Sequence, residues 1–278
     1  MRTKLVVVAV AVLGVAAGGV TAAAVASQDT SGSPLPLHVA TAGFPSGPRQ
    51  PGIFTDRCGY SHELADDPIL APGKPGTSMH HNFYGNTRTT ASSTAASLVG
   101  GPTTCTTTAD SSAYWTPVLY QHGTPLTPGT ALIYWRRPAG DTDSVHTVPV
   151  GLQMIAGDEA ATAPQPTTVI KWTCQGVQGM RDMTATPHNC AAGKDLRLVV
   201  TFPSCWDGHT LSGAKQTNVV YREAGGCPES HPVQIPQIVF HVNYPTSSAD
   251  GLTLSMTPTM QGSTNTEHVD FVNGWNEA

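Results

Sequence analysis

The chain has 278 residues, with 14 Lys or Arg against 19 Asp or Glu and a formal net charge of −5. That balance, without any block of basic residues, argues against nucleic acid or an anionic membrane surface as the partner. Only 12% of residues are charged while Gly and Pro number 28 and 23, the composition of a turn-rich β protein rather than a helical one.

Met1-Arg2-Thr3-Lys4 precedes an uncharged run from Leu5 to Ala26 that ends in the small residues Ala24-Val25-Ala26. This is the pattern of a cleavable secretory signal, the competing reading being a retained membrane anchor. The expected organisation is a signal segment over 1–26, a Ser/Gly/Pro-rich linker over 27–51 and a single β domain over 52–278. The expected location is secreted or extracellular, either wall-associated or anchored by an uncleaved signal, with no membrane contact after cleavage.

All six cysteines, Cys58, Cys105, Cys174, Cys190, Cys205 and Cys227, lie in the exported part. Their even number predicts disulfides, and the absence of a C-x-x-C pair argues against a cysteine zinc site. Chain neighbours are the preferred pairs, Cys58–Cys105, Cys174–Cys190 and Cys205–Cys227, because each closes a local loop of a meander.

Order is expected from Ile53-Phe54, followed by a long shaped loop through Asp66-Asp67-Pro68 and Pro72-Gly73. The next stretch, Gly76-Thr77-Ser78-Met79-His80-His81-Asn82-Phe83-Tyr84-Gly85-Asn86, is dense in polar side chains. On an extended strand adjacent residues face opposite ways, so only one of His80 and His81 reaches a given pocket, with His81 the candidate ligand or general acid/base. Ser92–Leu98 reads as a short serine-capped helix. Strands are expected at Ala113–Tyr120, Ala131–Arg136, Val148–Ile155 and Val169–Cys174, with Pro117 and Pro149 marking edges or bulges. Clean alternation predicts half-buried strands at Leu196/Leu198/Val200/Phe202, Ile238/Phe240/Val242/Tyr244 and Leu252/Leu254/Met256. Many short strands without βαβ alternation imply an all-β, antiparallel β-sandwich or jelly-roll-like fold stapled by disulfides.

Three further clusters complete the candidate site. In Thr201-Phe202-Pro203-Ser204-Cys205-Trp206-Asp207-Gly208, the pairing of Trp206 with Asp207 suits sugar recognition, a ring for the pyranose face and an acid for its hydroxyls. Asp110-Ser111-Ser112-Ala113-Tyr114-Trp115 has the same flavour. His268 and Asp270, two apart, share a face if the segment is extended and then suit metal binding. No G-x-S-x-G elbow, H-E-x-x-H helix or phosphate-binding glycine loop is present.

These clusters resemble the secreted family known as DUF1996, a domain of unknown function. The resemblance runs through Asp67-Pro68-Ile69, Pro72-Gly73, Ser78, His81–Asn86, Thr103-Thr104-Cys105, Asp110–Pro117 with Leu119-Tyr120, Met154–Asp158, Phe202–Gly208, Cys227-Pro228 with His231–Val233, and Asp270-Phe271 with Asn273–Trp275. It implies a secreted, mostly β domain with no established activity. The chain departs from the family's histidine-rich pattern at Met79, Asn82, Lys215, Asn218 and Val269.

Three functions are expected. One is glycan binding without turnover, the partner an extracellular polysaccharide or cell-wall glycan held by Trp115, Trp206, Tyr114, Asn82, His268 and Asp270. A second is polysaccharide hydrolysis or lysis with Asp207, Asp110 and His81 as catalytic candidates. The third is a metal-binding protein using His81, His268 and Asp270; no other cofactor is expected.

Overall fold

A computed structural model describes residues 52–138, 144–212 and 217–276; the signal, the linker and Lys215 lie outside them. Seventeen strands follow one another among these residues. The first nine are β1 (Ile53–Cys58), β2 (Tyr60–Leu64), β3 (His81–Gly85), β4 (Ala113–Pro117), β5 (Leu119–Gln121), β6 (Thr124–Pro125), β7 (Ala131–Arg136), β8 (Gln153–Gly157) and β9 (Ile170–Cys174). The rest are β10 (Leu196–Thr201), β11 (Cys205–Trp206), β12 (Val219–Val220), β13 (Val233–Gln234), β14 (Gln237–Tyr244), β15 (Leu252–Thr257), β16 (Met260–Gly262) and β17 (His268–Val272).

Two five-stranded antiparallel sheets carry the fold, ordered β1-β7-β14-β10-β9 and β2-β3-β4-β17-β8. Alternation decides what each strand buries. On the first sheet Ile133, Trp135, Leu198, Val200, Ile238, Phe240 and Val242 enter one buried cluster, and on the second Tyr84, Tyr114, Met154, Ala156, Val269 and Phe271 enter the same one. Aromatic rings lock the two layers together: Phe271 lies 5.6 Å from Trp135 and Tyr84 lies 5.4 Å from Phe240, both edge-on, the geometry rings prefer beyond their area burial. Two small sheets, β16-β15-β5-β6 and β12-β11-β13, complete the strands. The expected antiparallel sandwich is therefore present, and no helix among the described residues is long and apolar enough to cross a membrane.

Several boundaries differ from expectation for local reasons. Pro117 ends β4, a strand paired on both sides, so here proline stops a central strand instead of marking an edge. The expected strand from Val148 begins only at Gln153, because a turn closes first with Leu152 N–H donating to Pro149 O. The short helix α1 (Ala95–Leu98) is capped by Thr94, whose side chain accepts from Ser97 N in a capping box, rather than by a serine.

All three expected disulfides form, Cys58–Cys105, Cys174–Cys190 and Cys205–Cys227, a cysteine usage typical of oxidising compartments. Sequence separations of 47 and 16 residues for the first two set different losses of unfolded-chain entropy. Replacing both cysteines by serine is expected to cost about 4 kcal/mol for Cys58–Cys105 and about 3 kcal/mol for Cys174–Cys190, measured as the difference in urea unfolding free energy from the wild type.

Candidate metal centre

His268 and Asp270 stand two apart on β17, and strand alternation puts both on the face turned away from the sandwich core, while Val269 and Phe271 enter it. Across β4, strand β3 places His81 on that same face. All three side chains are fully buried at 0% exposure. The cover is the segment between β2 and β3, which its own carboxylates fold. Asp66 accepts from Gly76 N and Ala91 N at 2.8 and 2.9 Å, and Asp67 Oδ1 accepts from Ile69 N and Leu70 N at 2.7 and 2.8 Å. Leu64 and Ile69 pack on a second apolar cluster of Phe83, Leu98, Ala113, Trp115 and Val272 beside the histidines.

The tautomers follow from the partners. His81 Nδ1 lies 3.0 Å from Asp66 O and His268 Nδ1 lies 2.8 Å from Thr266 O. A carbonyl only accepts, so each Nδ1 carries the proton and each Nε2 presents a bare lone pair. Burial holds both rings neutral by lowering their pKa to about 4. Neither Nε2 has a hydrogen-bond partner, and neither does either oxygen of Asp270. Asp270 Oδ2 is 3.3 Å from His268 Nε2 but off the direction a hydrogen bond requires. Burial, reinforced by Asp67, Glu159 and Glu267, pushes the Asp270 carboxyl well above its ordinary range.

One donor atom from each of His81, His268 and Asp270 therefore converges, all within 4.8 Å of one another, and the two rings lie 5.8 Å apart at 79°. Donors around one tetrahedral ion sit about 3.5 Å apart given metal–ligand bonds of roughly 2.1 Å, so a contraction of up to about 1.3 Å completes the site. Backbone carbonyls on the outer ring nitrogens are the supporting contacts that metal-ligating histidines use. Gly157, opposite His268 on β8, makes the close approach possible: its φ is +107°, and a Cβ there would fall 2.6 Å from Glu267 O and 2.9 Å from His268 Cα.

Two other groups of donors are chemically closed. Cys174, His188 and Cys190 meet, as do Asp56, Cys58, Cys105 and Asp110, but every one of those cysteines is in a disulfide and offers no thiolate.

The remaining expected site residues lie elsewhere. Trp206 is 1% exposed with Nε1 donating to Thr210 O at 2.8 Å, so it is a core residue and not a sugar platform. Asp207 is spent on its own turn, where burial raises its pKa but the Thr210 and His209 N–H groups outweigh that and draw it down. Trp115 and Tyr114 are both at 0% exposure, the first under the cover segment, the second in the sandwich core. Asn82 is buried on the side of β3 opposite His81, with its Nδ2 unpartnered. His80 pairs with Glu63 at 2.8 Å near the surface. Asp110 accepts from Ser112 N and Tyr114 Oη and shares no hydrogen bond with Asp207 or His81, so the three catalytic candidates are not one constellation. Sequence reasoning missed Asp66, Asp67 and Gly157, although the adjacent acids before Pro68 signalled a loop organised by its own carboxylates.

Burial raises the Asp110 pKa to about 6 from 3.8, against the hydrogen bonds that lower it. Between those values the folded state keeps a proton that the unfolded chain has released, so stability from this group is full below about pH 4 and lost as pH rises through 6. Asp110→Asn is expected to remove about 2 kcal/mol of the stability difference between pH 4.5 and 7, read from urea midpoints at the two pH values.

No curated protein matches the chain, and no solved structure matches it. A family model described as a domain of unknown function, DUF1996, matches residues 67–275, a span that holds all three centre residues, and the chain belongs to that family.

Proposed function

We propose that this protein is a secreted, extracellular metal-binding protein whose His81, His268 and Asp270 hold a divalent first-row transition ion. One observation carries the reading: two imidazole Nε2 atoms and a carboxylate, all buried and all without hydrogen-bond partners, point at the same place. Burying unsatisfied polar atoms costs about 1–3 kcal/mol each, a cost that a bound ion removes. The donor set of two imidazoles and one carboxylate suits zinc, iron(II), manganese or copper, and disfavours calcium and magnesium, which take oxygen ligands. Neutral rings need lose no proton to ligate. Asp67 lies in the cover over the centre, where burial raises its pKa against the lowering effect of the Leu70 and Ile69 N–H groups and of His268. The three disulfides support the extracellular assignment.

A ligand that binds only the folded state raises its melting temperature. Metal-stripped protein is expected to melt several degrees lower than protein with one equivalent of Zn²⁺, and Ca²⁺ is expected to leave the curve unchanged. His268→Ala and Asp270→Asn should abolish the Zn²⁺ shift, whereas His188→Ala, which removes the part-buried His188–Asp182 pair, should keep it. Equal melting curves with and without every first-row ion tested would refute the assignment.

A further inference from the structure

The outer face of the first sheet carries a cluster of cations that the metal centre, on the second sheet, does not use. The alternation that sends Trp135, Leu198 and Phe240 into the core turns their neighbours Arg136, Arg197 and His241 the other way. Register sets the cations around one ring. His241 on β14 stands opposite Val199 on β10, and Val199 stands opposite Lys171 on β9, so the three share this face. On either side of His241 along β14, Gln237 pairs with Arg136 of β7 and Asn243 pairs with Arg197 of β10.

Each arginine is held by the amide opposite it. Arg136 Nε and Nη2 donate to Gln237 Oε1 at 3.2 and 2.9 Å, and Arg197 Nε donates to Asn243 Oδ1 at 2.8 Å. A neutral amide fixes a guanidinium without cancelling its charge and leaves further N–H groups for an oxyanion. Arg136, Lys171 and Arg197 are half-buried, while Val199 and Val239 of the same face are 0% and 4% exposed. Long basic side chains cover a sheet in this way, with stems over the apolar residues and charged ends at the water.

Those charged ends gather near His241. Burial first, then Arg197, Lys171 and Arg136, draws the pKa of its ring down to about 3, and burial and Arg136 draw Lys171 down. Like charges brought together repel one another, and the fold supplies no counter-charge. No carboxylate of the described residues pairs with any of the three cations, and no outward position of the five strands is Asp or Glu. Asp182, at the β9 edge, is taken up by Thr173 Oγ1, Cys174 N and His188. His241 itself is 8% exposed, and its Nδ1 is buried without a partner; a neutral imidazole can carry its proton there and donate it.

The span from Gln237 to Asn243 is about 20 Å at roughly 3.4 Å per residue. One small anion does not fill it, whereas an extended chain with repeated oxyanions does. Tyr134 is the aromatic ring on the outward side of β7, and it packs on His241 at 4.9 Å, so this face lacks the row of stacking platforms that single-stranded nucleic acid uses. The amide N–H groups of Gln237 and Asn243 suit sugar hydroxyls instead. We propose that this face binds an acidic polysaccharide, an extended glycan carrying carboxylate or sulfate groups, with Arg136, Lys171 and Arg197 on its oxyanions and His241 donating between them.

The test is calorimetric titration of the full chain, with chelator present so that no cation bridges the glycan to the metal centre. The probes are hexagalacturonate, sulfated isomaltohexaose, its unsulfated parent, a hexaglutamate peptide and a single-stranded DNA dodecamer. At least one of the two acidic glycans is expected to bind, identifying the oxyanion as carboxylate or sulfate, with affinity falling as salt rises. The neutral parent is expected to bind at least tenfold more weakly. Arg197→Gln and Lys171→Gln should each weaken the glycan at least fivefold with melting temperature unchanged, and if one variant fails to fold the other decides. Arg88→Gln, which removes an exposed cation in the turn after β3, should leave affinity unchanged. Absence of binding by both acidic glycans, equal binding of the neutral parent, peptide or DNA bound as tightly as the glycan, or full affinity in a folded Arg197 or Lys171 variant would each overturn the proposal.

Discussion

The cost of holding His268 and Asp270 out of water governs the outer face of the second sheet. Their strand, β17, is paired on both sides, by β4 and β8, so its backbone is satisfied and its position is fixed by the sandwich core through Val269 and Phe271. The side chains on the other face then have no freedom to seek solvent. They need a cover, and the segment between β2 and β3 supplies one that does not compete for the donors. Asp66 and Asp67 turn their carboxylates to backbone N–H groups of their own loop and of the Ala91 turn, and the Asp66 carbonyl accepts from the outer nitrogen of His81. A cover built this way rigidifies the pocket and leaves the converging lone pairs free.

Period-two alternation made much of this legible in the sequence. His268 and Asp270 share a face and His81 is separated from His80 because neighbouring residues on a strand must diverge; Leu198, Val200, Phe240 and Val242 line the core for the same reason. Chain-neighbour disulfides were legible because meandering strands bring successive turns together. The tryptophans were not. Trp206 follows a cysteine in a turn-rich stretch, and nothing in its neighbours reveals that β11 is flanked by β12 and β13 and that its ring is thereby enclosed. Trp115 alternates correctly but faces a cover segment whose closure depends on residues from Asp66 to Ala91, 24 to 49 positions earlier, which no local pattern records.

Four positions that the resemblance marked as expected departures, Met79, Asn82, Asn218 and Val269, lie in the described residues, and strand geometry places two of them. Asn82 and Val269 each stand next to a centre histidine in sequence, and alternation sends both to the opposite face of the sheet. Val269 is packed in the core at 0% exposure, where a glycine would leave a cavity worth a few kcal/mol of lost packing by analogy with large-to-small core replacements. Asn218 uses its Nδ2 to tie down the carbonyls of Gln153, Thr210 and Leu211, a joint between β8 and the turn after Trp206. Met79 precedes His80, which belongs to the surface pair with Glu63. Val269 is therefore answered by packing, and Asn218 by backbone hydrogen bonds away from the centre. The three side chains that converge, His81, His268 and Asp270, leave four polar atoms without partners at one point, the observation on which the metal reading rests.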